Sequence, residues 1–250
     1  DFKDSFIEGS ETLLTNNGSY GLPFLVDPLI MYWNRDTLTS KGISKPPVSW
    51  EQVLSLSEKL TERRDDKTIL KSTVAFGDYT NVSHAKSILS ALIMQAGNGI
   101  VIRDNNSPVG AKNVTNDNGG FTVSPIDATF SFFSQFADPL KPIYSWNRSL
   151  PLSMTAFLNG DLAFYFGPAS EVGILRNKNP NLNFDIALFP QPQNAQVKKT
   201  FGTVYSFSIL SSSKNQSAAF SAISILTSPK VENIASNFTG LPPARRDLLA

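Results

Sequence analysis

Apolar residues along the chain fall into short runs whose period changes at each turn signal. Phe2, Phe6, Ile7, Leu13 and Leu14 are spaced as a first helix that stops at Asn16-Asn17-Gly18. Gly21-Leu22-Pro23 requires an extended path, because proline disfavours the helical region for the residue before it. The unbroken run Leu29 to Trp33 predicts a buried strand, and Asp36 to Lys41 a short helix halted by Gly42. Ser49 with Gln52 three residues on is a capping box for a helix from Trp50 to Arg63, with Val53, Leu54, Leu56 and Leu60 largely on one side.

The alternation continues. Thr73 to Gly77 predicts a strand, and Ser83 caps a helix through Ala96 with Ile88, Leu89, Leu92 and Ile93 turned inward. Gly97 to Gly120 is rich in Asn and Gly, a loop or weak hairpin. Ser124-Pro125-Ile126-Asp127 combines a cap, a first-position proline and a first-turn acid, and Ile126, Phe130, Phe133 and Phe136 form the apolar face of that helix. A helix through Met154, Phe157 and Leu158 ends at Asn159-Gly160. Strands are predicted at Leu162 to Phe166, Phe184 to Phe189 and Val204 to Leu210, then helices from Asn215 to Thr227 and on to Asn237. Strands separated by helices argue for α/β layers. Pro23, Pro190 and Pro242 flank strand ends, where the chain would pass between two lobes.

Composition narrows the chemistry. A chain of 250 residues with 41% hydrophobic content and 18 Phe can bury a sizeable core. A net charge of +1 supplies no electrostatic footprint for nucleic acid or an anionic membrane. With no cysteine and one histidine, disulfides, Cys-based zinc sites, Cys nucleophiles and multi-His metal sites are all excluded, and neither metal nor cofactor is expected. No apolar run reaches the roughly 18 residues of a spanning helix. Because the first residue is Asp1 and the last segment lacks a stop signal, the chain is expected to be cut at both ends, any targeting segment lying outside it.

Catalytic motifs fail. G-x-S-x-G, the P-loop and a full dinucleotide fingerprint are absent, and the S-x-x-K matches at Ser83 and Ser211 lack their companion motifs. His84, in the first turn of a predicted helix, reads as a solvent-facing residue rather than a base. Of the candidate carboxylates, Asp161 belongs to a turn, Asp78 to a strand end and Glu171 to a helix start. Asp27, embedded in Leu25-Val26-Asp27-Pro28-Leu29, either binds a ligand hydroxyl or braces nearby backbone. Aromatic and polar residues share loops at Asp78-Tyr79-Thr80-Asn81, Trp146-Asn147, Pro168-Ala169-Ser170 and Thr203-Val204-Tyr205. Aromatic faces suit the C–H faces of sugars while Asp, Asn and Ser take the hydroxyls, although each residue alone is equally suited to packing or turn formation.

Four stretches carry a family resemblance. Tyr20-Gly21-Leu22-Pro23 through Tyr32-Trp33-Asn34-Arg35-Asp36 is similar to a Y-G-L-P then Y-x-N-x-D segment, and Gly42 to Trp50 to G-x-x-x-P-P-x-T-W. Phe157-Leu158-Asn159-Gly160-Asp161-Leu162-Ala163-Phe164 resembles F-x-x-G-x-x-A-M with Phe for Met, and Leu241-Pro242-Pro243-Ala244-Arg245 resembles L-P-P-x-R. In this order they resemble bacterial extracellular solute-binding protein family 1, the maltose-binding-protein-like sugar receptors of ABC importers.

The resemblance implies a periplasmic-binding-protein type II α/β fold, two lobes joined by hinge crossovers and here incomplete at both ends. It divides the chain into residues 1–27 (end of the first lobe and first crossover), 28–189 (second lobe), 190–192 (second crossover), 193–238 (return to the first lobe) and 239–250 (third crossover). It implies an extracytoplasmic, periplasmic or lipoprotein monomer that holds a sugar or oligosaccharide between the lobes and meets a membrane permease. By position, Asp27, Tyr79, Asn81, Ser170 and Tyr205 fall where such loops meet ligand, Trp146 is a stacking platform, and Arg245 is a further contact. Gly167-Pro168-Ala169-Ser170 lacks the aromatic that often follows that glycine, implying a shallower sugar contact. No catalysis is implied. The alternatives are the same fold binding a polyamine, peptide or organic anion, and a carbohydrate hydrolase using Asp27.

Overall fold

Leu22–Asn34 forms one extended strand of 13 residues, well beyond the apolar run that predicts it, and it runs through Pro23 and Pro28. The structure, a computed structural model, describes residues 2–104, 107–110 and 124–249. The elements up to the middle of the chain are α1 (Phe2–Ser5), β1 (Leu14–Thr15), β2 (Gly18–Ser19), β3 (Leu22–Asn34), α2 (Arg35–Ser40), α3 (Trp50–Leu60), β4 (Glu62–Arg63), β5 (Ile69–Val74), α4 (Ala85–Gln95), β6 (Val101–Asp104) and β7 (Ser107–Gly110). After them come α5 (Pro125–Ser134), α6 (Ser153–Leu158), β8 (Leu162–Pro168), α7 (Glu171–Lys178), β9 (Phe184–Leu188), β10 (Gly202–Phe207), α8 (Gln216–Leu226) and α9 (Pro229–Thr239). The chain divides into two compact units. One contains the N-terminal segment through Pro28 and the chain from Gly202 onward; the other is Leu29 to Phe201 apart from a short piece at Asp104.

In the larger unit the strand order is β9-β3-β8-β5-β4. β3 is antiparallel to β8 and β9, while β5 and β8 are parallel, with Ser72 opposite Leu162 and Val74 opposite Phe164. Every residue of β8 from Leu162 to Gly167 is buried, as a central strand covered on both faces should be. Trp50, at the start of α3, meets the rings of Phe76, Phe132, Phe166 and Phe189 at centroid distances of 5.1–5.8 Å. A second aromatic group joins Tyr32, Phe157, Tyr165 and Phe184. Such tilted and edge-on pairs add to the area term that buries these rings.

The local signals land where expected. Ser49 Oγ accepts the Gln52 N–H as the predicted cap, while the Gln52 side chain takes the N–H of Val48 at 2.7 Å rather than that of Ser49, so the reciprocal half of the box falls one residue earlier. Ser124 Oγ accepts the Asp127 N–H ahead of α5. Three expectations change. The first helix is broken, because Ile7 is extended and gives its N–H to Ala244 O, leaving α1 and a 3-10 turn over Glu8–Leu13. α3 stops at Leu60, because Thr61 Oγ1 pairs with Thr73 Oγ1 at 2.9 Å and Glu62-Arg63 joins the sheet. Phe130 is exposed, and the inward face of α5 is Thr129 and Phe133, continued by Phe136 just beyond it. Of the two readings of Gly97 to Gly120, loop or weak hairpin, the paired strands β6 and β7 agree with the hairpin, and its residues 105–106 and 111–120 lie outside the described residues.

In the smaller unit, β10 pairs antiparallel with the first half of β3. Pro23 and Pro28 lie in that paired stretch opposite Ser206 and Gly202, and neither has an N–H to give the ladder. None of the residues of α8 is buried, and Phe220, Ile225, Ile234 and Phe238 of α8 and α9 stay exposed. Glu232 of α9 is the opposite case: it is fully buried, its Oε2 accepts the Arg245 N–H at 3.3 Å, and its Oε1 has no partner among the described residues. Burial pushes this carboxyl up to about 7, against an ordinary 4.5. The folded chain therefore holds the proton more tightly than the unfolded chain. The stabilisation is complete below pH 4.5 and is lost as pH rises towards 7, a fall of roughly 1–3 kcal/mol. Urea titrations at stepped pH check this. Glu232→Gln, which cannot ionise, is expected to flatten the profile over that window.

Candidate functional site

The parallel strands β5 and β8 end side by side, and the loops leaving their carboxyl ends carry most of the polar residues singled out in the larger unit. Open α/β sheets place ligands at such ends. The β5–α4 loop is held by side chains. Asp78 Oδ1 accepts the Thr80 hydroxyl at 2.6 Å and the Thr80 N–H at 2.8 Å, and its Oδ2 accepts from Arg148 Nε at 3.0 Å. These hydrogen bonds, those from Thr80 foremost, lower the Asp78 carboxyl to about 2. Asp78 is thus committed to loop geometry.

Asn81 and Trp146 are brought together, but as a brace. Asn81 Nδ2 donates to Asn147 O and Leu150 O, both at 2.9 Å, and its Oδ1 accepts the Trp146 indole N–H at 2.9 Å. Trp146 is 0% exposed, so it offers no ring face to a sugar, and the stacking-platform expectation is corrected. The reason is local: the irregular segment around it has no ladder to satisfy its backbone and is tied to the β5–α4 loop instead. Tyr79, in that same loop, is 62% exposed and keeps its ring available. Ser170 stands between β8 and α7, directly before Glu171.

Ser83, expected to cap α4, does other work. Its N–H donates to Ser153 Oγ at 2.8 Å, its Oγ faces the Met154 N–H at the start of α6, and the residue preceding α4 is His84. Neither His84 nor Glu171 is the plain helix-start residue its position suggests. His84 Nε2 lies 2.8 Å from Glu171 Oε1, joining the two loops, and Glu171 Oε2 is 2.7 Å from Tyr165 Oη. Sequence reasoning missed this cluster. Its only signals were a lone histidine soon after Asn81 and an acid following Gly167-Pro168-Ala169-Ser170, and no spacing rule connects residues so far apart in the chain.

In the smaller unit, Asp27 and Tyr205 lie on neighbouring strands, Asp27 opposite Thr203 and Leu25 opposite Tyr205. Asp27 is buried and Tyr205 exposed. Arg245 has partners of its own: its Nε meets Asp247 Oδ1 at 2.9 Å, and its guanidinium lies 5.6 Å from the Phe6 ring centroid. Arg245, expected as a further ligand contact, thus has its guanidinium engaged by an exposed carboxylate. A polar groove of about 360 Å³ is lined by Asn34, Asp36, Lys71, Asn159, Asn179 and Asn183, at the opposite end of β8, and holds none of the candidate ligand contacts named from sequence. Among the described residues, no group of three or more His, Asp or Glu side chains could hold a metal ion, and no helix is long and apolar enough to cross a membrane.

A family model described as bacterial extracellular solute-binding protein matches residues 2–250. A binding protein of Brucella abortus is 22% identical over 229 residues, covering 90% of this chain and 51% of its own length. The chain thus spans about half the length of the Brucella relatives it matches. A cyclo/maltodextrin-binding protein complexed with maltotetraose superposes with a TM-score of 0.71 at 16% identity, over 99% of this chain and 58% of that one. A Thermotoga lettingae ABC transporter solute-binding protein bound with α-D-tagatose gives 0.65 at 20% identity, over 97% and 59%. UgpB of Mycobacterium tuberculosis, in complex with glycerophosphocholine, gives 0.67 at 15% identity, over 99% and 57%. At these identities the likeness establishes a shared fold, the mixed α/β architecture of periplasmic solute-binding proteins.

Proposed function

Since the chain belongs to the bacterial extracellular solute-binding proteins, we propose that it captures a sugar or oligosaccharide for import by an ABC transporter. The observation that carries this reading is the pair of loops at the carboxyl ends of β5 and β8, which present the exposed Tyr79 ring beside polar groups. An aromatic face with hydroxyl-bonding neighbours is the chemistry of sugar recognition. Asp27, Ser170 and Tyr205 are further candidate contacts. Solved relatives hold maltotetraose and α-D-tagatose, which favours the same class of ligand here. The family and these neighbours are binding proteins, and we expect no hydrolysis: a chromogenic glycoside should be left intact, and release of its product lost in Asp27→Asn would instead establish a hydrolase. The working protein would be an extracytoplasmic monomer, free or lipid-anchored, that meets a permease.

The second reading keeps the fold and changes the cargo to a polyamine, peptide or organic anion, favoured by the glycerophosphocholine held by UgpB. Arg245 counts against an anion, because Asp247 already neutralises it. Calorimetry with maltotetraose, mannobiose, tagatose and glycerophosphocholine separates the two. Heat from at least one sugar is expected; heat from glycerophosphocholine alone would replace the sugar reading. Tyr79→Ala is expected to weaken sugar binding about tenfold, the worth of one aromatic contact, without moving the unfolding midpoint.

A further inference from the structure

The bond between His84 and Glu171 is more elaborate than loop bracing requires. Glu171 is 7% exposed, with one carboxylate oxygen engaged by Tyr165 and the other by His84. β8 makes room for it at Gly167, where a Cβ would collide with Glu171 Oε2 and stand 2.9 Å from Tyr165 Cε1. Desolvation, then the charge of Glu171, pushes the Tyr165 hydroxyl far up, so it stays protonated and donates to the carboxylate. His84 itself sits at φ 60°, a left-handed conformation that costs a non-glycine residue energy and persists where surrounding structure enforces it.

The geometry assigns the imidazole proton. In a neutral imidazole, a carboxylate that accepts from Nε2 holds the hydrogen there and leaves Nδ1 with a bare lone pair. The side chain remains 31% exposed, and Nδ1 has no hydrogen-bond partner among the described residues. His84 stands at the carboxyl ends of the two parallel strands, in the loop that carries Tyr79 and against the residue that follows Ser170.

We propose that His84 is a ligand-contact residue that offers Nδ1 as an acceptor to a hydroxyl of a polyhydroxylated ligand, with Glu171 as the positioning residue that fixes its tautomer and ring direction. The proposal rests on the sugar-binding reading and sharpens it: the ligand must direct one hydroxyl hydrogen at this nitrogen. An ammonium N–H could also donate to this nitrogen, so Nδ1 by itself does not separate a sugar from a polyamine.

The test uses the full chain, whose single histidine gives one pair of imidazole nitrogen signals. Nitrogen-15 spectra are recorded during titration with maltotetraose and with mannobiose, beside calorimetry of variants. The expected result is an Nε2-protonated imidazole whose Nδ1 resonance moves on saturation while Nε2 stays protonated. His84→Phe should lose about tenfold in affinity, the equivalent of one hydrogen bond. His84→Asn should recover part of the loss, because Asn tolerates the left-handed backbone and can place a carbonyl oxygen near the Nδ1 position. Glu171→Gln should weaken binding and mix the two tautomers. If a sugar binds and the Nδ1 signal stays still, or His84→Phe binds like the parent chain, the assignment of His84 is overturned and the sugar reading stands. If neither sugar gives heat or a shift, the sugar reading fails for these probes and this assignment falls with it.

Discussion

Trp146→Ala is expected to lower the unfolding free energy by about 3–5 kcal/mol, the cost of emptying a large aromatic site. Trp146 is fully buried and packs within the main core, so its removal leaves a cavity rather than a surface notch. The loss also reaches the loop. Asn81 Oδ1 gives up the indole N–H, and the same amide anchors Asn147 O and Leu150 O. Trp146→Phe separates the two contributions, since it keeps most of the volume and orphans only the Asn81 oxygen, at about 1–3 kcal/mol. Urea unfolding followed by circular dichroism gives both values. If Trp146→Ala proved nearly neutral, the indole would have to lie at the surface, and the stacking role implied by the family resemblance would regain its footing.

Gly77→Ala is the second large effect, with an expected loss of about 3 kcal/mol. Two terms combine. Gly77 has φ 93°, where a side chain costs about 1–2 kcal/mol in backbone strain. A Cβ there would also stand 2.5 Å from Ala137 Cβ and 2.8 Å from Ala137 N, and overpacking of this kind costs about 1–3 kcal/mol. Gly97 supplies the control: its φ is 92°, yet a Cβ would meet nothing within 4 Å. Gly97→Ala should therefore show the strain alone, and the difference between the two variants measures the approach of β5's loop to Ala137. Ala137→Gly in the Gly77→Ala background should return part of the stability. Equal losses at the two glycines would mean the loop can move away from Ala137.

Functional consequences should set these two variants apart from Tyr79→Ala. Both variants disturb the loop that carries Tyr79, so sugar affinity is expected to fall with stability in each. Tyr79→Ala, by contrast, should reduce affinity with stability intact, because the ring is mostly in solvent. That pattern distinguishes residues that build the loop from one that meets ligand.

The legible part of the site was its address. Reading Gly77 to Asn81 and Gly167 to Ser170 as loops after strands placed them at one end of a sheet, and β5 and β8 do lie parallel and adjacent. What each side chain does at that address was not legible. Trp146 next to Asn147 in an irregular segment could equally be a platform or a plug, and the choice depends on whether Asn81 faces it. The Arg245 guanidinium is held by Asp247 two residues on, a contact that sequence proximity permits but does not require.

By itself, the sequence determined the features that are settled within a few residues: the cap at Ser49, the helix start at Ser124-Pro125, the helix stop at Asn159-Gly160, the α/β alternation and the family motifs. Those signals work because backbone dihedrals and first-turn hydrogen bonds depend on neighbours along the chain. Tertiary structure alone decided that β3 extends through two prolines, that Ile7 leaves its helix for Ala244, that Trp146 is interior, and that His84, Glu171 and Tyr165 meet. Each of these turns on a partner brought from a distant part of the chain. Burial and long-range hydrogen bonds outweigh local propensity there, because a buried polar group must be satisfied wherever its partner happens to lie.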